Sequence, residues 1–260
     1  MARGVALLLC AGLLAGCGGR ITLPDFRRAP AAVAAPQTLA ELRTASAARP
    51  DDAPLLLRLA DAAEQANAPA EAATALDRAV ALQGPNAARQ IRIGALRLRA
   101  GEFPAAATAF AAAQQAGPND PAAPAGLAIA RDLMGQREAA LEAHRQAASL
   151  APNDLTLRGN HAVSLVLAGR APDAVRLLSS VERDRAAPRR ARHNLALALA
   201  AAGERQRLVR LLRIDLGPSE AESLAGQFAA YATEIASRPS EEAAASLFGA
   251  TPAGAPLPAR

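Results

Sequence analysis

Gly101, Gly135, Gly169 and Gly203 recur at intervals of 34 residues, and Asn67 stands one interval earlier. Gly adopts the left-handed backbone region without strain and Asn tolerates it better than most residues, so a turn of one shape is expected five times. A fixed period of this length is the mark of a repeat array. Five units follow, starting at Ala53, Ala87, Pro121, Leu155 and Arg189. Position 8 of each is Ala60, Gly94, Ala128, Ala162 and Ala196, and position 20 is Ala72, Ala106, Ala140, Ala174 and Leu208. Such small residues let two helices approach closely. Position 7 reads Leu59, Ile93, Leu127, His161 and Leu195, and position 24 reads Leu76, Phe110, His144, Leu178 and Leu212. These fall on i, i+3, i+4 stripes that face one another across a helix-turn-helix. Pro104 and Pro172 suit first helical turns, and breakers at 84–86, 117–121 and 151–154 supply caps for the next helix.

Composition points to an all-α chain. There are five Phe, one Tyr and no Trp in 260 residues, so β-branched and aromatic clusters at strand spacing are missing and no strand is predicted. Ala and Leu, both strong helix formers, must build the core. All 29 basic residues are Arg, a bias that points to codon usage rather than to function.

The small residues at positions 8 and 20, the Gly at 15, the Ala at 27 (Ala79, Ala113, Ala147) and the Pro near 32 (Pro118, Pro152) resemble tetratricopeptide repeats. The resemblance implies a solenoid of antiparallel helix pairs closed by a C-terminal capping helix. Its repeats are 53–86, 87–120, 121–154, 155–188 and 189–216. Leu42, Ala45 and Pro50 fit a degenerate half-repeat over 37–52, and 217–237 reads as the capping helix, with Leu224, Phe228, Tyr231 and Ile235 on its inner side. The stretch 238–260 reads as an unpacked tail with a short helix at 241–248. The chain departs from the family where large apolar residues are usual: position 4 holds Gln90, Pro124, Arg158 and Arg192, and position 11 holds Arg97 and Arg131. A thinned core is expected from this.

Residues 1–16 carry one charge, Arg3, then an apolar run over 5–14 and small residues, the layout of a secretory signal peptide. The run is too short to span a bilayer. Leu14-Ala15-Gly16-Cys17 resembles the bacterial lipobox, which implies cleavage before Cys17 and its acylation. The other reading is an ordinary signal peptide with a Cys at its cleavage site. Lipidation would hold the chain on a membrane, and Gly18 after the Cys, where Asp marks inner-membrane retention, implies the periplasmic face of the outer membrane. Residues 17–36 form the lipidated Cys and a flexible tether. Cys10 lies in the removed segment, so no disulfide is expected. Nucleic acid is not an expected partner in that compartment.

No catalytic or metal constellation stands out. His144, His161 and His193 are the three histidines, two of them on core-facing repeat positions, and no phosphate loop or nucleophile elbow is present. The chain reads as a non-enzyme without cofactor. Arg183, Arg185, Arg189, Arg190, Arg192, Arg205, Arg207, Arg210 and Arg213 gather positive charge at repeat five. That cluster reads either as a patch for acidic partners or headgroups or as a solvated surface.

In tetratricopeptide domains the inner face is lined by positions 2, 5, 9 and 12 of the first helix. Carried across, the resemblance assigns a protein-binding groove to Ile91, Ala95, Leu98, Ile129, Val163, Val166, Arg190, His193 and Leu197. It is apolar, and suits an amphipathic helix or extended apolar segment. The other reading is that these residues pack against one another or against a tail of the chain.

The stretch 194–231, with Asn-Leu-Ala-Leu-Ala-Leu-Ala, Gly203 and Asp215-Leu216-Gly-Pro, is similar to the C-terminal end of the TadD family of tight-adherence (Flp) pilus assembly lipoproteins. Its last helix lacks the Asn-containing pattern of that family. The resemblance implies an outer-membrane scaffold that binds and places a protein partner, such as the pilus secretin or another assembly component. Alternatives are a type IV pilus pilotin, a barrel-assembly lipoprotein, an adaptor for peptidoglycan enzymes and, from a different class, an envelope hydrolase.

Overall fold

The computed structural model describes residues 38–238 and 240–249. Residues 1–37, on which the expected signal peptide, Cys17 and tether fall, together with 239 and 250–260, lie outside the described residues. Fourteen helices and no strand are found among those described. Helix α1 (Leu39–Ala48) leads into five helical hairpins: α2 (Ala53–Gln65) with α3 (Pro69–Gln83), α4 (Ala87–Arg99) with α5 (Phe103–Ala116), and α6 (Ala122–Leu133) with α7 (Arg137–Leu150). In the fourth, α8 (Leu155–Leu167) meets a second helix that is broken in two, α9 (Ala171–Leu177) and α10 (Ser179–Arg183). The fifth is α11 (Arg189–Ala201) with α12 (Arg205–Leu212). Helices α13 (Pro218–Ser237) and α14 (Ser240–Phe248) follow. Each hairpin stacks on the next, giving a tetratricopeptide-type solenoid. No helix among the described residues is long and apolar enough to cross a membrane.

The 34-residue period acts through the backbone of the turns. Gly101, Gly135, Gly169 and Gly203 take φ values of 74°, 72°, 72° and 73°, and Asn67 takes 55°. Each reverses the chain so that the second helix lies back on the first. The starts are fixed by side-chain caps: Asp52, Asn86 and Asp154 accept backbone N–H groups of α2, α4 and α8. Thr38 and Glu41 form a capping box on α1.

The arginines at the unusual repeat positions are structural. Arg192 is buried, and its guanidinium donates to both Asp215 carboxylate oxygens at 3.1 Å and to the Ala187 carbonyl, tying the loop before α11 to the turn after α12. Arg158 donates to Ser180 Oγ at 3.1 Å and to the Leu177 carbonyl, at the break between α9 and α10. Arg131 donates to the Ala139 carbonyl at 3.1 Å, and Arg97 pairs with Asp77 and Glu102. Where a thinned core was expected, hydrogen bonds between neighbouring segments take the place of apolar contact.

Phe110 on α5 is fully buried at the junction of repeats two and three. Its ring lies where Cβ atoms on Gly94 and Gly126 would stand, 2.8 Å and 2.2 Å from the nearest ring carbons. Two glycines thus make the hole into which this aromatic ring fits.

The C-terminal part differs most from the sequence reading. Helix α13 packs on α11 and α12, but its buried face is Ala221, Ala225, Ala232 and Ile235, with Leu224, Phe228 and Tyr231 half-buried. Beyond it, where an unpacked tail was expected, α14 lies against α6 and α8 and buries Ala243, Ala244 and Phe248.

Candidate functional site

The first helices of repeats two to five, α4, α6, α8 and α11, line the inner face. Ile91, Leu98, Ile129, Val163 and Leu197 fall there into one apolar cluster, with Val166 half-buried against it. The same cluster contains Ala232 of α13 and Ala244 and Phe248 of α14. Most of the apolar groove residues therefore share one cluster, and the chain's own C-terminal helices pack on part of this face, α14 on α6 and α8 and α13 on α11. Ile91 and Ile129 are 0% and 1% exposed, and Ala95 and Leu98 9% and 7%.

His193 and Arg190 sit half-buried at the far end. The His193 ring meets Phe228 of α13 edge to face, with centroids 6.1 Å apart, and burial holds its pKa below the ordinary value. Burial also lowers the Arg190 pKa. A cavity of about 410 Å³ lies between α8 and α11 on one side and α13 and α14 on the other, lined by Val166, Leu167, Ala200, Ile235, Arg238 and Ala243 among others.

A buried polar network, not foreseen from the sequence, underlies this face. Asp132, at repeat position 12 on α6, is fully buried. Its carboxylate accepts from Ser164 Oγ at 3.0 Å and from Arg137 Nη1 at 3.1 Å, and lies 3.2 Å from His144 Nε2. Arg137 also donates to the Asp132 carbonyl at 2.8 Å and, with its other terminal nitrogen, to the carbonyl of Ser240 at the start of α14. The signal in the sequence is slight: Asp132 at repeat position 12 and Ser164 at position 10 of the next repeat, 32 residues on, are polar residues within otherwise apolar first helices.

Ser, His and Asp side chains are thus together, yet Ser164 and His144 both turn to Asp132. A hydrolytic triad needs the nucleophile bonded to the base, and all three groups are buried here. The arrangement satisfies a buried carboxylate. His144 stacks on His161, centroids 5.5 Å apart at 7°, and burial with the neighbouring His144 lowers the His161 pKa to about 4. No group of three or more His, Cys, Asp or Glu suited to a metal is found among the described residues.

Part of the repeat-five Arg cluster is engaged within the fold. Arg207 pairs with Glu182 and Glu204 at 2.5 Å and 2.6 Å, Arg205 with Glu222 at 2.8 Å, and Arg192 with Asp215. Arg183, Arg185, Arg189, Arg210 and Arg213 are exposed.

No family model matches the chain, and no curated protein does. Solved structures do. YrrB, described as a TPR protein with an unusual peptide-binding site, superposes with a TM-score of 0.54 at 19% identity, over 73% of this chain and 100% of that one. A MamA protein gives 0.50 at 18% identity, over 69% and 85%. At these identities the likeness is one of fold: a tetratricopeptide-repeat solenoid.

Proposed function

We propose that this chain is a protein-binding scaffold whose ligand is an apolar helical segment held in the groove of repeats two to five. The observation that carries the reading is that Ile129 and Val163 share one apolar cluster with Ala244 and Phe248 of α14, a helix packed on α6 and α8. A surface that accepts one short helix by apolar contact has the shape and chemistry to accept another. That YrrB is described as having a peptide-binding site agrees with this use of the fold.

The setting we propose is the periplasmic face of a bacterial outer membrane, with the chain acylated at Cys17. There it assists assembly of a pilus or secretion machine of the tight-adherence type by binding and placing the secretin or another assembly component. Support comes from Leu14-Ala15-Gly16-Cys17, from Gly18, and from the likeness of 194–231 to that lipoprotein family. The mechanism is positioning, with no bond made or broken.

A photo-crosslinking residue at position 166 in living cells tests both parts. The expected result is capture of a pilus assembly component in the outer-membrane fraction, with release of the chain from that fraction by Cys17→Ser. Capture that persists when Val163→Asp is added argues against the groove, and fractionation unaffected by Cys17→Ser argues against the anchor.

A further inference from the structure

Helix α14 has the character of a bound ligand. Its nine residues are fewer than a helix needs to persist alone in water, so its helicity depends on the surface beneath it. It is amphipathic: Ala243, Ala244 and Phe248 are buried, while Ser240, Glu241, Glu242 and Ser246 face solvent. Ala244 and Phe248 are four apart and share one face.

Its polar ties lie at the margins. Arg137 holds the Ser240 carbonyl, the Glu241 side chain lies over the turn at Gly135, where an added Cβ would meet Glu241 Cγ at 3.4 Å, and Ser246 Oγ is 3.0 Å from the Tyr231 hydroxyl. The helix buries three residues where α6 buries eleven. It is joined to α13 through Arg238, in extended conformation (φ −86°, ψ 155°), followed in sequence by Pro239. The packing partners of the two helices differ: α13 lies on α11 and α12, and α14 on α6 and α8.

We propose that α14 is a resident occupant of the groove that an incoming amphipathic helix displaces. The occupant defines the chemistry of the ligand: a short helix with an acidic first turn, two adjacent small residues and an aromatic residue one turn later, the pattern of Glu241, Glu242, Ala243, Ala244 and Phe248. Glutamates in the first turn suit both the helix dipole and the neighbouring Arg137. Tethered by a few residues, α14 competes at high local concentration, so only a ligand with better contacts or a high concentration of its own takes the site. This rests on the groove being the binding surface.

The test uses the full-length chain and a fluorescein-labelled synthetic peptide spanning residues 238–249, read by anisotropy. In the wild type the peptide must compete with α14. Phe248→Ala and, separately, Ala244→Arg in the protein free the groove and are expected to tighten peptide binding at least about tenfold, because apparent affinity scales with the fraction of protein in the open form. Adding Val166→Asp to either variant is expected to abolish the gain. Equal affinity in the wild type and both variants overturns resident occupancy while leaving the groove reading intact. A gain untouched by Val166→Asp places the binding surface elsewhere, and absence of binding to either variant shows that the groove does not accept this class of helix.

Discussion

Phe228 closes on His193 edge to face, ring centroids 6.1 Å apart with an interplanar angle of 71°. The contact joins the capping helix α13 to position 5 of repeat five, so the end of the inner face is sealed by an aromatic pair. Phe228→Ala is expected to lower stability by about 1–3 kcal/mol, less than for a fully buried Phe because the ring is half-exposed. It is also expected to raise the His193 pKa toward its ordinary value, since burial is the main cause of its lowering. Denaturant unfolding and an NMR titration of the imidazole check the two effects. An unchanged titration would mean that α13 does not shield His193.

The Phe110 hole makes a prediction with its own control. A methyl group on Gly126 would stand 2.2 Å from the Phe110 ring, whereas one on Gly226, in the exposed middle of α13, meets nothing within 4 Å. Gly126→Ala is expected to destabilise by about 1–3 kcal/mol through overpacking. Gly226→Ala is expected to stabilise by roughly 0.5–1 kcal/mol, because Gly is a poor helix residue. The opposite signs are readable from urea midpoints.

The Asp132 side chain is fully buried, with Arg137, Ser164 and His144 around it. Asp132→Ala strands the Arg137 guanidinium and the Ser164 hydroxyl, and is expected to cost about 3–5 kcal/mol. Asp132→Asn keeps an acceptor and is expected to cost about 1–3 kcal/mol. If both substitutions cost the same, the charge rather than the hydrogen bonding is what holds the network.

The stacked histidines set an acid limit. His161 has a pKa of about 4 in the fold because burial and the nearby His144 disfavour its charged form, while in the unfolded chain it titrates near 6.5. Between those values the unfolded chain binds a proton that the folded one does not. Stability is therefore full above pH 6.5, falls as pH drops from about 6.5 to about 4, and loses nothing more from this group below that. With solvent screening of a half-buried ring the loss is roughly 1–2 kcal/mol. His161→Leu is expected to flatten this part of the stability profile. Glu71, Asp173 and Glu182, whose pKa values are lowered by hydrogen bonds to arginines, contribute stability that is lost as pH falls below the ordinary carboxylate range, at the acid end of this window and beyond.

Much of the fold was written in the recurrence of residues with special backbone freedom. Gly101 to Gly203 and Asn67 mark the five turns because few other residues take positive φ there without strain. Helical pairing followed from small residues at fixed positions. What was not readable is what depends on partners distant in sequence. Arg192 and Arg158 looked like gaps in a core, because Asp215 and the broken helix at Leu178 that they serve lie 23 and 20 residues away with no local pattern. Asp132 falls at inner-face position 12 by register, and only the third dimension shows it turned inward to Ser164. Residues 240–248 share their small and acidic composition with many surface tails. Nothing local distinguishes such a tail from one seated on an apolar face, and the choice is made by Ile129 and Val163, more than 70 residues away.

The measurement that bears most directly on the self-covered groove is amide hydrogen exchange over residues 240–248 in the full-length chain. The expected result is exchange of the Ala244 to Phe248 amides slowed well below the free-peptide rate, and restored to that rate by Phe248→Ala while α6 and α8 stay protected. Exchange at the free-peptide rate in the wild type would contradict the account, since the groove would then stand open.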